Sequence, residues 1–557
     1  MIDELKVFCK NIDQYVDIKG GDTLIDVFAK VREQLSINPI CAHVNNKTED
    51  LCFPVFSPKQ VEFLDISSPS GNRVYVRSLC MILYKAIEDL FPGTRLRLQH
   101  SISGGYYCQV YAGTAKLTQA TITRIKSQMQ AIVKADIPFI RRERLTTDVR
   151  EMFSRQGLDD KVRLLDTSHE LYTVYYKLGN IIDSYYGSLA PSTRFLSVFN
   201  LVPYKDGMLL LGPDPADPSV PRTPIVQEKM YKAFTDYVNF NNIIGIDDVG
   251  QLNKAVIDKK APMLIDVAEA LHNKMFADMA YDITKRYRQG GARLILIAGP
   301  SSSGKTTSSK RLGIQLVTNL IMPKVISLDN YFVNRERTPR DENGDYDYES
   351  LYALDLDRFN SDLNRLIAGE EVELPSYNFQ LGRSENKGEK MRLEKNNILL
   401  IEGIHGLNPE LTSHIPDDVK FRVYVSALTT LAIDDHNWVS TSDNRLLRRI
   451  IRDYKYRGVG AKDTIARWPS VRRGEEKWIF PYQENADAMF NSSLIFELAV
   501  MKDFADQILR DVPRNVPEFA EAYRLRAFLS YFESISPQQL PSTSLLREFL
   551  GGSSFHY

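Results

Sequence analysis

The stretch Leu294-Ile-Leu-Ile-Ala-Gly299-Pro-Ser-Ser-Ser-Gly304-Lys305-Thr306-Thr307 joins an apolar, β-branched run to a glycine-bounded loop of fixed length. Leu312, Leu316 and Leu320 follow at helical spacing, so the stretch predicts strand, loop, helix. It fits the pattern G-x-x-x-x-G-K-[ST], in which backbone N–H groups of the loop wrap nucleotide phosphates at the N-terminus of a helix. In that reading Gly299, Ser301, Ser302, Ser303, Gly304, Lys305, Thr306 and Thr307 form a nucleoside triphosphate site. Lys305 reaches the β- and γ-phosphates, and the Thr306 hydroxyl is a Mg²⁺ ligand.

Working outward, 557 residues are too many for one core, and three or four domains are expected. Hydrophobic residues make up 43% and charged residues 25%, the balance of an ordinary globular chain. Lys and Arg number 70 against 71 Asp and Glu, so no overall field recruits nucleic acid or acidic membrane. The N-terminus, Met1-Ile-Asp-Glu-Leu-Lys, lacks the basic-then-apolar order of a signal peptide. No apolar run approaches the roughly 18 residues of a membrane span. Cys9, Cys41, Cys52, Cys80 and Cys108 form no C-x-x-C pair and read as buried thiols of a reducing cytosol, so a cytoplasmic location is expected.

Residues 1–65 read as a small α+β unit of two strands, a helix with Leu24, Val27, Phe28 and Val31, and two further strands, a β-grasp pattern. Ser67-Ser-Pro-Ser-Gly71 reads as a linker. Residues 72–212 read as a second α+β domain, with a helix near 77–91 and another opened by Thr118. Five prolines between Pro213 and Pro224 mark a boundary, and 213–290 is a linker followed by helices. From 291 to 512 strands alternate with helices (Leu294–Ala298, Val325–Leu328, Ile398–Ile401, Phe421–Val425, Leu494–Phe496), the α/β pattern with a parallel sheet. Residues 513–557 form a helical tail.

Three features narrow the chemistry. The strand ending Ile326-Ser-Leu-Asp329 places a carboxylate at the ligand side of a parallel sheet, where it can take a proton from an acceptor hydroxyl or order a metal. Ile398-Leu-Leu-Ile-Glu402 ends an apolar strand on an acid that can reach Mg²⁺. Asn444-Arg445-Leu-Leu-Arg448-Arg449-Ile-Ile-Arg452-Asp453-Tyr-Lys-Tyr-Arg457 is an arginine-rich helix. It reads either as a lid over transferred phosphate or as a solvated, salt-bridged face.

Those motifs, together with Ser327-Leu-Asp-Asn-Tyr-Phe, Tyr346-Asp-Tyr-Glu-Ser-Leu-Tyr-Ala-Leu-Asp355 and Gly369-Glu-Glu-Val-Glu-Leu-Pro-Ser-Tyr-Asn-Phe379, resemble the uridine kinase branch of the uridine kinase/phosphoribulokinase family over roughly 200 residues. The resemblance implies transfer of the γ-phosphate of ATP to the 5′-hydroxyl of uridine or cytidine, with Mg²⁺. It implies Lys305, Asp329 and Arg452 as catalytic groups, and Thr306, Asp329 and Glu402 at the metal. Tyr331, Glu349, Tyr377, Arg383 and Arg449 would contact the nucleoside. Asn378 and Gly382 stand where the family commonly has an acid and a histidine, and Glu349 stands for its ribose-binding Asp. Another hydroxylated metabolite is therefore the alternative acceptor.

Residues 1–65 resemble a TGS domain. Residues 72–212 resemble the second additional, editing domain of threonyl-tRNA synthetase, through Ala86-Ile-Glu-Asp-Leu-Phe-Pro92, Gly104-Gly-Tyr-Tyr107, Asp136-Ile-Pro-Phe139 and Gly187-Ser-Leu-Ala-Pro-Ser-Thr193. The family's H-x-x-x-H and C-x-x-x-H ligands correspond to Arg77 and Met81, then Tyr185 and Leu189, and none of these four suits a metal. The resemblance leaves RNA binding, oligomer formation or small-molecule sensing as roles for this half. A homo-oligomer is expected, with a small-molecule substrate and no membrane partner. A tRNA-binding regulatory NTPase is the competing class.

Overall fold

Burial on both faces explains why Leu294–Ala298 runs through the centre of a parallel sheet: all five of its residues are buried. The computed structural model describes residues 4–111, 117–342, 344–378 and 380–556. Met1-Ile-Asp of the N-terminal reading, Phe379 of the acceptor segment and Tyr557 of the tail lie outside them. The sheet runs Met322–Ser327, Asn397–Glu402, Leu294–Ala298, Lys420–Ser426, Ala488–Asn491, every neighbouring pair parallel. Its residues alternate between two cores. Ile295 and Ile297 pack with Leu312, Leu316 and Phe276, while Leu294 and Leu296 pack with Ile326, Phe359 and Leu363.

The last parallel strand is Ala488–Asn491, not the expected Leu494–Phe496. Leu494 and Phe496 instead enter the core that surrounds the helix Glu497–Arg510. Asn491 marks the strand's end by bonding through its amide to both the N–H and the carbonyl of Leu428.

The N-terminal unit has five strands, ordered Gln14–Lys19, Glu4–Cys9, Lys59–Leu64, Cys41–Val44, Lys47–Asp50. The fifth strand, absent from the sequence reading, is the last of these. Its Lys-Thr-Glu-Asp composition carries no apolar alternation, and its pairing with Cys41–Val44 creates it. Ser67–Gly71 is not a linker. Ser68 accepts from the Gly71 N–H at 3.0 Å and caps a helix over Pro69–Leu90, with proline in its first turn. Four cysteines are buried as expected, whereas Cys52, on a turn, is exposed.

Residues 72–212 hold the sheet Asn200–Tyr204, Gly207–Leu211, Gly105–Tyr111, Arg95–Ile102 and a smaller three-stranded sheet around Tyr172–Leu178. The helices Glu228–Ile244, Val249–Ile257 and Ala261–Arg288 connect this half to the parallel sheet. A short hairpin of the C-terminal half, Ala432–Asp434 with Asn437–Trp438, docks back on the N-terminal half. Trp438 packs against Tyr106 with ring centroids 4.5 Å apart, and Asn437 donates to the Ser184 carbonyl at 2.9 Å. The tail is no loose appendage, since Leu545, Leu546 and Phe549 are buried against the parallel-sheet half.

Candidate active site

The register of the parallel strands decides what meets at their carboxyl ends. Glu402 pairs with Ile297 on one side and Ser327 on the other, so it lies between the phosphate loop and the strand leading to Asp329. The Ser327 hydroxyl donates to Glu402 at 2.9 Å. Burial, reinforced by the like charge of Asp329 and opposed by Lys305, pushes the Glu402 carboxyl up to about 7. Burial likewise lowers the Lys305 ammonium, against the pull of Glu402, Asp329 and Glu548. Lys305 donates to the Pro300 carbonyl at 3.1 Å.

The loop's two glycines are required by close approach. A Cβ at Gly299 would stand 1.9 Å from the Val425 carbonyl oxygen, and Gly304 adopts φ +85 with Leu545 packed on it. Buried groups fix the rest. Glu475 accepts from the Ser301 N–H at 3.0 Å and pairs with Arg445, which donates to the Ser301 carbonyl at 3.0 Å. Arg448 pairs with Glu497 and donates to Ser492, whose hydroxyl donates to the Ser303 carbonyl. The hydroxyls of Ser302 and Ser303 are buried without a hydrogen-bond partner among the described residues.

These contacts correct the reading of the arginine helix, Thr441–Arg457, for two of its arginines, which are neither lid nor solvated face. Arg445 and Arg448 are 1% and 0% exposed, paired with buried glutamates beneath the loop. Moving them away would strand buried charge. Arg449 and Arg452 occupy the rim instead. Asp453, buried, gathers Arg449 at 3.3 Å, Arg452 at 2.9 Å and Arg457 at 3.5 Å. One carboxylate thus orders three guanidiniums and leaves a net positive rim. Arg449 also donates to the Ser301 hydroxyl at 2.7 Å, and the charge of Asp329 reaches Arg457.

The residues expected at the acceptor separate in the structure. Glu349 lies beside Arg449, with burial raising its carboxyl to about 7 against the Arg449 charge. Gly474 makes room for it, since a Cβ there would stand 2.3 Å from the Glu349 Cβ. Tyr377, on the strand Val372–Asn378, packs its ring 5.6 Å from Phe332. Tyr331 is not at the cleft. It is 2% exposed, edge-on to Phe359, with its hydroxyl donating to Asp362 at 3.1 Å, and serves as a core residue. Arg383 points to solvent on the hairpin and pairs with Glu385 at 3.0 Å. Asn378 accepts from the N–H groups of Gln380 and Leu381, both at 3.1 Å, and Gly382 has φ +67 with Arg335 against it. The two departures from the family pattern therefore shape the hairpin turn.

Residues 294–495 match the profile of the Phosphoribulokinase / Uridine kinase family. The C-terminal half carries a domain of that family. Solved structures to which part of the chain is similar include a putative fructose transport system kinase from Silicibacter sp. TM1040, 18% identical, covering 39% of this chain and 98% of that one at a TM-score of 0.28. A possible uridine kinase from Bacillus stearothermophilus is 20% identical, covering 36% and 89%, at a TM-score of 0.25. The N-terminal region is homologous to threonine–tRNA ligases. That of Desulforamulus reducens is 30% identical over 183 residues, 33% of this chain and 29% of the ligase. The chain thus spans under a third of the length of that ligase.

In the N-terminal domain, Arg77, Met81, Tyr185 and Leu189 are all buried. Arg77 donates to the Ser188 carbonyl at 3.1 Å and fills the space beside Gly187. No group of three or more His, Cys, Asp or Glu suited to a metal occurs among the described residues. Mg²⁺ takes one or two carboxylates together with substrate phosphates, so Glu402, Asp329 and the Thr306 hydroxyl fit it without a denser cluster. A carboxylate pair in which one member is pushed toward neutrality also favours a cation. No helix among the described residues is long and apolar enough to cross a membrane.

Three groups beneath and beside the loop escaped the sequence reading: Glu475, Asp453 and Glu548. Glu475 stands among charged neighbours on a helix and looks like surface. Its partner Ser301 is 174 residues away. Asp453 had a local cue, arginines at i−4, i−1 and i+4, and Glu475 had one in Arg472 at i−3, with which it pairs at 2.9 Å.

Proposed function

We propose that this protein is an ATP-dependent kinase that phosphorylates the 5′-hydroxyl of a pyrimidine nucleoside, uridine or cytidine. The contact that carries this reading is the bond of Arg449 to the phosphate-loop residue Ser301, with the Arg449 charge also acting on Glu349, the carboxylate expected at the acceptor. A simple nucleotide switch has no use for such a bridge. In this reading Gly299–Thr307 hold the triphosphate, and Lys305 offsets charge on the β- and γ-phosphates. Glu349 accepts from ribose hydroxyls and orients the sugar, with Tyr377 against the base. Asp329 takes the proton of the 5′-hydroxyl as its oxygen bonds to the γ-phosphorus and the bond to the β–γ bridging oxygen breaks, releasing ADP. Arg449 and Arg452, held by Asp453, stabilise charge on the transferred group. Bound Mg²⁺, held through Thr306 and Glu402, would neutralise charge between the phosphates.

The purified protein, incubated with ATP and Mg²⁺, should release ADP with uridine or cytidine well above the no-acceptor rate. ADP at background with both nucleosides would overturn the assignment. One observation favours a second acceptor class: Asn378 is engaged in the turn and Gly382 carries no side chain to contact a base. Sugars, sugar phosphates and pantothenate-like alcohols therefore belong in the same panel. The N-terminal half acts in this reading as a scaffold. A filter-binding titration at physiological salt should retain no tRNA.

A further inference from the structure

The first turn of an α-helix carries N–H groups without intrahelical partners, and at a phosphate loop these are donors for a nucleotide phosphate. In this chain one set is already engaged. The Thr307 N–H donates to Oε2 of Glu548 at 3.2 Å, and the Thr307 hydroxyl donates to the same oxygen at 2.6 Å. Glu548 comes from the C-terminal turn Arg547–Leu550, 241 residues away in sequence.

That turn is fixed in place by its neighbours. Leu545 packs on Gly304, where a Cβ would meet it at 2.6 Å. The Arg448 guanidinium lies 5.2 Å from the Phe549 ring, and Lys455 donates to the Leu550 carbonyl. Arg547 donates to the Leu540 carbonyl at 2.7 Å. Glu548 is only partly buried, between the fully buried Leu545, Leu546 and Phe549. Its side chain can rotate into solvent while the turn stays docked.

We infer that Glu548 is an intramolecular competitor of the nucleotide: its carboxylate holds the Thr307 donors in place of a phosphate oxygen, and a nucleoside triphosphate must turn it aside to bind. The inference rests on the reading of Gly299–Thr307 as the nucleotide site. Two costs follow for the ligand. The donors must be vacated, and a carboxylate left beside a polyphosphate repels it. A single phosphate ion makes too few contacts to repay both, whereas a triphosphate gripped along the whole loop does. The free protein therefore discriminates against orthophosphate.

The test is calorimetric titration of the full chain with Mg²⁺ and a non-hydrolysable ATP analogue, with and without millimolar orthophosphate. Glu548→Ala should bind the analogue about tenfold tighter than the unaltered chain, with Glu548→Gln between the two. In both variants, orthophosphate should become a measurable competitor. Unchanged or weaker binding in both variants, with Lys305→Ala still abolishing it, overturns the competitor role and leaves Glu548 as a helix cap. Binding that Lys305→Ala does not weaken overturns the nucleotide site itself. Thermal melting of each variant reports folding. Should Glu548→Ala not fold, the isosteric Glu548→Gln alone decides the outcome.

Discussion

Two buried charge clusters, one at the seam between the halves and one at the parallel sheet, resolve their charges differently. At the seam Lys161 lies 2.8 Å from Asp183 and 3.0 Å from Asp434, and Asp183 is 2.8 Å from Nδ1 of His436. Burial alone would raise Asp183, but Lys161 and His436 hold it well below the usual carboxylate range. Each of these charges has a partner of opposite sign, although Asp434, which shares Lys161 with Asp183, is pushed up to about 6 by burial and by the like charges of Asp160 and Asp183. At the parallel sheet, by contrast, Glu402 faces another acid and is pushed up to about 7, while Asp453 leaves a surplus of arginine at the rim. A satisfied cluster fixes a fold. An unsatisfied one waits for a ligand.

Substitutions separate the two. Lys305→Ala should lower the ADP-release rate by about 10³-fold or more while the melting temperature moves by a few degrees at most, since a lost charge clamp on phosphate removes transition-state stabilisation. Activity close to the unaltered level would place the chemistry elsewhere. Lys161→Met should do the reverse. Removing the cation leaves Asp183 and Asp434 buried without it, at a cost of about 3–5 kcal/mol in urea unfolding. The turnover of whatever remains folded should be unchanged.

Glu402→Gln tests the unsatisfied cluster directly. Activity should fall about 10- to 100-fold with a raised Mg²⁺ requirement, while the ligand-free protein melts no lower, because a like-charge contact has gone. The pH dependence has a fixed sign. A carboxyl raised from 4.5 to about 7 on folding contributes stability that is full below the unfolded value and is lost as pH rises through about 7. The ligand-free protein should therefore lose melting temperature between pH 5 and pH 8, and Glu402→Gln should flatten that slope. Equal slopes in the two proteins would remove Glu402 as its source. The smallest effect belongs to Asn378→Asp. A carboxylate accepts from the Gln380 and Leu381 N–H groups as the amide does, so stability should change by under about 0.5 kcal/mol. A shift in acceptor preference, read from kcat/KM across the panel, would then report chemistry at the base rather than at the turn.

What the sequence disclosed was contiguous. The phosphate loop and the acid at the end of Ile398–Glu402 are local patterns whose chemistry depends on a strand end and a helix start, both legible from apolar spacing. The loop contacts of Glu475 and Glu548 were illegible because the loop residues they hold are 174 and 241 residues away, and nothing local to either glutamate points to them. Tyr331 misled for a related reason. It lies two residues after Asp329 in the short helical turn Leu328–Tyr331, but its ring enters the core while Asp329 is exposed. In the fold, Leu494–Phe496 was apolar enough for strand or buried helix approach, and only the amide of Asn491 settles the choice. Lys47–Asp50 is a strand by pairing alone, which no periodicity reveals.

The hairpin at 432–438 also sets a timetable for synthesis. Asp183 meets His436 across 253 residues of chain, and a ribosome adding roughly 5–20 residues per second needs roughly 13–50 s to make them. Until that hairpin emerges, the N-terminal half holds Lys161 and Asp183 without their remaining partners and leaves Tyr106 without Trp438 over it. The nascent domain must wait, incompletely sealed, for a piece of the other half that is made 253 residues later.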